Sequence, residues 1–131
     1  MGIFFKKKNA FIKNEKIYVG RESVCMGDDV TAPNMSSFIL TDDSGIFMNH
    51  ISKCLPYIAA DRTFTWKGYK GRFETGSDKR RYPDGICVLE NKSSAQLFSI
   101  TVDRNHNILD FQMNDNWYEI MKEWPYLYLK R

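Results

Sequence analysis

One stretch of this chain carries the spacing of a packed amphipathic helix, and the apolar runs around it are mostly too short for another like it. The stretch opens at Thr41-Asp42-Asp43-Ser44, short oxygen-bearing side chains that can accept the unpaired N–H groups of a first helical turn. The two acids also suit the positive end of the helix dipole. Ile46, Phe47, Ile51, Cys54 and Leu55 follow at spacings that set them on one helical face, and Pro56 stops the run. The pattern predicts a principal helix over residues 43–55.

Strand signals dominate elsewhere. Residues 10–19 read as strand material with a polar turn near Asn14-Glu15, and residues 22–26 and 36–40 are short β-type runs. Thr63-Phe64-Thr65-Trp66 alternates, with Phe64 and Trp66 on one face. Residues 70–84, rich in Gly, Pro and charge, read as a long exposed loop. The continuous apolar run within residues 85–90 predicts a strand in a central position. Residues 95–102 and 108–113 form a hairpin around Asp103-Arg104-Asn105-His106-Asn107. Asn114-Asp115-Asn116 can cap a short C-terminal helix over residues 116–124, ended by Pro125. Tyr126 to Leu129 then closes the chain as an edge strand. The expected fold class is α+β, a mainly antiparallel sheet carrying one principal helix.

A length of 131 residues without repeats or a linker-like composition shift is expected to form a single domain, residues 1–131. An aromatic share of 15% supplies the large apolar groups that disordered chains lack. At the N-terminus, Ile3-Phe4-Phe5 precedes Lys6-Lys7-Lys8, the reverse of a secretory leader's order. No window approaches the run of about 18 apolar residues that a membrane helix needs. The expectation is a cytoplasmic protein with no membrane partner. Cys25, Cys54 and Cys87 form no CxxC pair and read as reduced, mostly buried thiols.

The net charge of +3 is distributed in blocks. Lys6, Lys7, Lys8, Lys13, Lys16 and Arg21 against Glu15 give residues 1–21 a net +5. Lys53 against Glu22, Asp28, Asp29, Asp42, Asp43 and Asp61 gives residues 22–61 a net −5. Residues 62–81 return to +5, carrying Arg62, Lys67, Lys70, Arg72, Lys79, Arg80 and Arg81 against Glu74 and Asp78. Such blocks steer association and set specificity more than they add affinity.

Catalytic chemistry finds little footing. A nucleophile needs a base within hydrogen-bond reach, and the chain holds only two histidines, His50 and His106. His50 lies near the apolar side of the predicted helix, and His106 lies in an Asn/Asp turn where solvent exposure is the default. No Gly-x-Ser-x-Gly framework, Walker loop or GxGxxG accompanies them, so no catalytic residue is assigned. Asp28-Asp29 with Asp42-Asp43 offer oxygen ligands to a hard cation. Adjacent aspartates diverge in a strand, however, and calcium-loop spacing is missing, so neither metal nor cofactor is expected.

Two binding readings remain. The basic segment 62–81 interleaves its charge with Phe64, Trp66, Tyr69 and Phe73, the mixture that neutralises phosphates and stacks bases. Its candidate residues for RNA or DNA are Arg62, Lys67, Lys70, Arg72, Arg80 and Arg81. The other reading starts from Cys25-Met26-Gly27-Asp28-Asp29-Val30-Thr31-Ala32-Pro33, a turn-rich acidic segment between two apolar runs. Together with Leu55-Pro56 and Trp66, its order resembles that of small bacterial cytosolic proteins over residues 16–66, including immunity proteins encoded beside contact-dependent growth-inhibition toxins. The resemblance implies a non-enzymatic inhibitor that binds one cognate toxin domain, often a nuclease. Many nuclease inhibitors are strongly acidic overall, whereas this chain is slightly basic; its strongest acidic block is 22–61, with residues 82–131 at a net −2. Asp28, Asp29, Asp42 and Asp43 are the carboxylates expected to face basic groups of the partner.

Overall fold

A computed structural model of the chain describes residues 16–22, 35–56, 62–75 and 85–131. The elements are β1 (Lys16–Arg21), β2 (Met35–Ile39), α1 (Ser44–Cys54), β3 (Thr63–Glu74), β4 (Ile86–Leu89), β5 (Gln96–Asp103), β6 (Ile108–Met113), α2 (Trp117–Glu123) and β7 (Tyr126–Lys130). The described strands form a mixed, mostly antiparallel sheet in the order β2-β1-β7-β3-β5-β6, with β4 paired to β3. The α+β class therefore holds. The parallel neighbours are β1 and β7, with Tyr18 opposite Tyr126 and Arg21 opposite Leu129.

Helix α1 begins where the side chains demand it. Asp43 sits in extended backbone, and its Oδ1 accepts the Ile46 N–H at 3.0 Å, satisfying one orphan donor of the first turn. At the other end Leu55 is extended, the conformation that a following proline favours. The buried stripe is Phe47, Met48, Ile51, Cys54 and the flanking Leu55. Ile46 does not belong to it: at 100° per residue it lies about 140° from Ile51, and it is 48% exposed.

This stripe covers one face of the sheet. Alternation supplies that face with Ile17 and Val19 of β1, Phe64 and Trp66 of β3, Ile100 and Val102 of β5, and Leu127 and Leu129 of β7. Phe47 is the junction, meeting Phe38 and Phe98 edge to face at 5.5 and 5.8 Å and Trp117 of α2 at 4.7 Å. Gly68 makes this fit possible, because a Cβ there would stand 2.3 Å from the Phe98 ring. The register against β5 shifts at Gly68/Tyr69, a bulge that absorbs the close approach.

Four expectations need correction. The segment 70–84 is not a loop over its first part: Lys70–Glu74 continue β3, and residues 71–74 pair with β4. Strand β4 is not central. It pairs with β3 and lies across the face of β1 opposite α1, which accounts for its apolar run. A Cβ on Gly20 would be 2.1 Å from the Cys87 carbonyl oxygen. The Cys87 N–H is directed at Met35 Sδ at 3.1 Å, and its thiol at the Tyr18 carbonyl at 3.5 Å. Tyr18, Phe73 and Tyr126 complete this second, smaller apolar layer, with ring centroids 5.8 to 6.4 Å apart. Nor is the closing strand an edge, since β7 lies between β1 and β3. Finally, Asn116 makes no side-chain cap; Asn114 Oδ1 accepts the Asn116 N–H at 2.8 Å and shapes the turn into α2.

Candidate functional site

The carboxylates named from sequence divide sharply in structure. Asp28 and Asp29 lie outside the described residues, as does Cys25. Asp43 is committed to the α1 cap. Glu22, from the same acidic block, accepts the Arg131 N–H at 2.7 Å. Asp42 is exposed and takes no hydrogen bond or ion pair among the described residues. It sits in the short connection from β2, an outermost described strand, to α1. Ile39 on one side of it is 62% exposed and Ile46 on the other 48%. Both are large aliphatic groups left in water at the rim of a well-packed core, flanking an unpaired charge.

The basic segment is likewise sorted. Arg80 and Arg81 lie outside the described residues. Arg72 is exposed and ion-paired with Glu74 at 2.6 Å. Lys70 holds its ammonium 5.2 Å above the Trp124 ring, whose indole N–H donates to the Gly71 carbonyl at 2.6 Å. Arg62 precedes β3 in exposed backbone. Lys67 alone of the group lies on the sheet face away from α1, where it stands opposite Lys130 of β7. Two residues along, Tyr69 stands opposite Tyr128. Sequence reasoning missed Lys130 and Tyr128. The alternation Tyr126-Leu127-Tyr128-Leu129 marks a strand, but its neighbour is set by non-local pairing. Burial pushes the Tyr128 phenol upward, Glu22 adds repulsion to its ionised form, and Arg21 opposes both.

Both histidines have structural employment. His50 stacks on Phe38, with centroids 4.7 Å apart and planes 10° from parallel. His106 is partly buried rather than in solvent, and its Nε2 lies 3.0 Å from the Leu55 carbonyl at the end of α1. That docking is held by the hairpin turn. Asp103 Oδ1 accepts the N–H groups of Asn105 and Asn107 at 2.8 and 2.9 Å, and Oδ2 accepts from Asn107 Nδ2 at 3.0 Å. The Asn107 bonds, side chain first, hold the Asp103 carboxyl below its ordinary value. His106 itself adopts φ 65°, in the left-handed region.

Cys54 and Cys87 are free and buried. Burial raises both thiols, Cys87 to about 11. Among the described residues no group of three His, Cys, Asp or Glu is placed to hold a metal ion, and no helix is long and apolar enough to cross a membrane. No protein-family model matches this chain, and no curated protein or solved structure matches it either.

Proposed function

We propose that the chain is a non-enzymatic binding protein of the immunity type, acting in the cytoplasm to neutralise a cognate bacterial toxin domain. The observation that carries this reading is the β2–α1 connection, where Ile39 of β2 and Ile46 of α1 are exposed on either side, in sequence, of Asp42, which takes no hydrogen bond or ion pair among the described residues. Burying such side chains against a partner contributes roughly 1.5–3 kcal/mol each when complete. A carboxylate beside them steers a basic surface into register. A toxin that cleaves nucleic acid must present basic groups to phosphates, so an acidic, partly apolar junction suits occlusion of such a groove. Asp28 and Asp29 extend the same negative block in sequence.

The test is affinity for the toxin domain encoded beside the gene, measured by titration calorimetry with wild type and with Asp42→Lys/Ile46→Ala. The double variant should bind at least tenfold more weakly while its circular dichroism is unchanged. Equal affinity would remove this junction from the interface, and a neighbouring gene product that never binds would remove the function.

A further inference from the structure

Lys67 and Lys130 stand directly opposite each other on antiparallel neighbours. Like charges in that relation destabilise a sheet, because their side chains are held about 5 Å apart at Cβ. Neither lysine has an ion pair among the described residues. Lys16 and Lys70, by contrast, each lie over an aromatic ring. The next cross-strand pair on this face is Tyr69 with Tyr128, about 7 Å along the strands from the two residues of rise. Both residues are half-buried. Beyond Lys67 the face continues with small hydroxyls: Ser99 stands opposite Lys67, and Thr65 Oγ1 lies 2.8 Å from Thr101 Oγ1. The fold thus sets two lysines without an ion pair among the described residues beside two neutral rings, with the Glu22 carboxylate near Tyr128.

We infer that the part of this sheet face beside β4, built on Lys67, Lys130, Tyr69 and Tyr128, binds single-stranded nucleic acid, the lysines on phosphates and the tyrosines under bases. A polyanion with flat faces satisfies both halves of the patch, whereas an acidic peptide satisfies only the lysines. A duplex keeps its bases paired and offers no free face to the rings. The surface differs from the β2–α1 junction in residues and charge sign, so it stands or falls independently of the toxin reading. It also departs from the contiguous basic segment 62–81: Arg72 and Lys70 are occupied elsewhere, and half of the patch comes from β7.

Fluorescence anisotropy with fluorescein-labelled oligo(dT) of about 12 nucleotides, within the usual site sizes, provides the test. Wild type should bind at low salt, with log K falling against log salt at a slope of about −1.4 for two phosphate contacts. Lys67→Gln/Lys130→Gln should flatten that slope and weaken binding at least tenfold, while raising the unfolding temperature because the like-charge pair is gone. Tyr69→Phe should keep binding, and Tyr69→Ala should lose about tenfold. Three results would overturn the inference: no binding at low salt, binding indifferent to the lysine pair, or poly-glutamate competing as well as the oligonucleotide with the tyrosines immaterial.

Discussion

Replacing Gly20 by Ala tests the placement of β4 against β1. The added Cβ would stand 2.1 Å from the Cys87 carbonyl oxygen, 2.8 Å from its Cβ and 2.9 Å from its carbonyl carbon. Ordinary van der Waals contact begins near 3.4 Å. Strand β4 must therefore retreat by more than an ångström, and the obstruction is backbone, which cannot rotate aside. Retreat breaks the Cys87 bonds to Met35 and Tyr18, which run at 3.1 and 3.5 Å. Overpacking of this kind costs about 1–3 kcal/mol. The alanine itself regains about 0.5–1 kcal/mol of strand preference over glycine, while the two bonds, one a weak thiol donor, remove a further 1–2 kcal/mol between them. The sum is a destabilisation of about 2–3 kcal/mol. With a urea slope of roughly 1–3 kcal/mol/M, the unfolding midpoint falls by about 0.7–3 M. Iodoacetamide labelling followed by peptide mapping gives a second readout, because Cys87 should become reactive in the variant before global unfolding. Gly45→Ala is the matched control: its Cβ meets only the Asp43 carboxylate at 3.2 Å, and it should change stability by less than about 0.5 kcal/mol or raise it. A Gly20→Ala midpoint equal to wild type, with Cys87 still protected, would refute the packing of β4 on β1.

Asp43→Ala should lower stability by about 1 kcal/mol through loss of the α1 cap, whereas exposed Asp42→Ala should change it by less than about 0.5 kcal/mol; urea titrations of the two variants compare them directly. The Asp103 carboxyl is lowered in the folded state, so its contribution is complete above its ordinary value near 3.8 and is lost as pH falls through and below it. Asp103→Asn should therefore flatten the acid limb of the stability curve relative to wild type, and equal limbs would dismiss the turn bonds as a source of acid sensitivity. With its thiol raised to about 11, Cys87 in the wild-type protein should resist iodoacetamide at neutral pH and react once urea unfolds the chain. His106→Ala should cost about 1 kcal/mol by orphaning the Leu55 carbonyl, read as a lower thermal midpoint with the secondary-structure signal retained.

What the chain disclosed in advance follows the range of the forces involved. Helix α1 was legible because its cap, its stripe and its proline stop all lie within residues 43–56. The β5–β6 hairpin was legible for the same reason, its turn being closed by Asp103 on Asn105 and Asn107. The place of β7 was not, because a parallel neighbour 108 positions away in the chain leaves no local mark. The second half of β3 was equally hidden: Lys70 to Glu74 look like loop composition, yet Phe73 has Tyr18 and Tyr126 to pack against and Arg72 has Glu74. The candidate sites divide in the same way. Asp43 carried two readings, helix cap and partner contact, and the backbone N–H of Ile46 claims it. Lys67 was named as one charge of a contiguous segment, whereas its significance comes from Lys130, brought opposite it by pairing alone.

The most direct test of the proposed inhibitor role is a rescue experiment in cells made to express the product of the gene adjoining this one, the toxin candidate. Co-expressed wild-type chain should restore growth and elute with the toxin as one complex. Asp42→Lys/Ile46→Ala, equally folded, should bind at least tenfold more weakly and restore growth poorly. Growth arrest that persists with the wild-type chain present, or rescue identical for the two, would contradict an inhibitor acting through the β2–α1 junction.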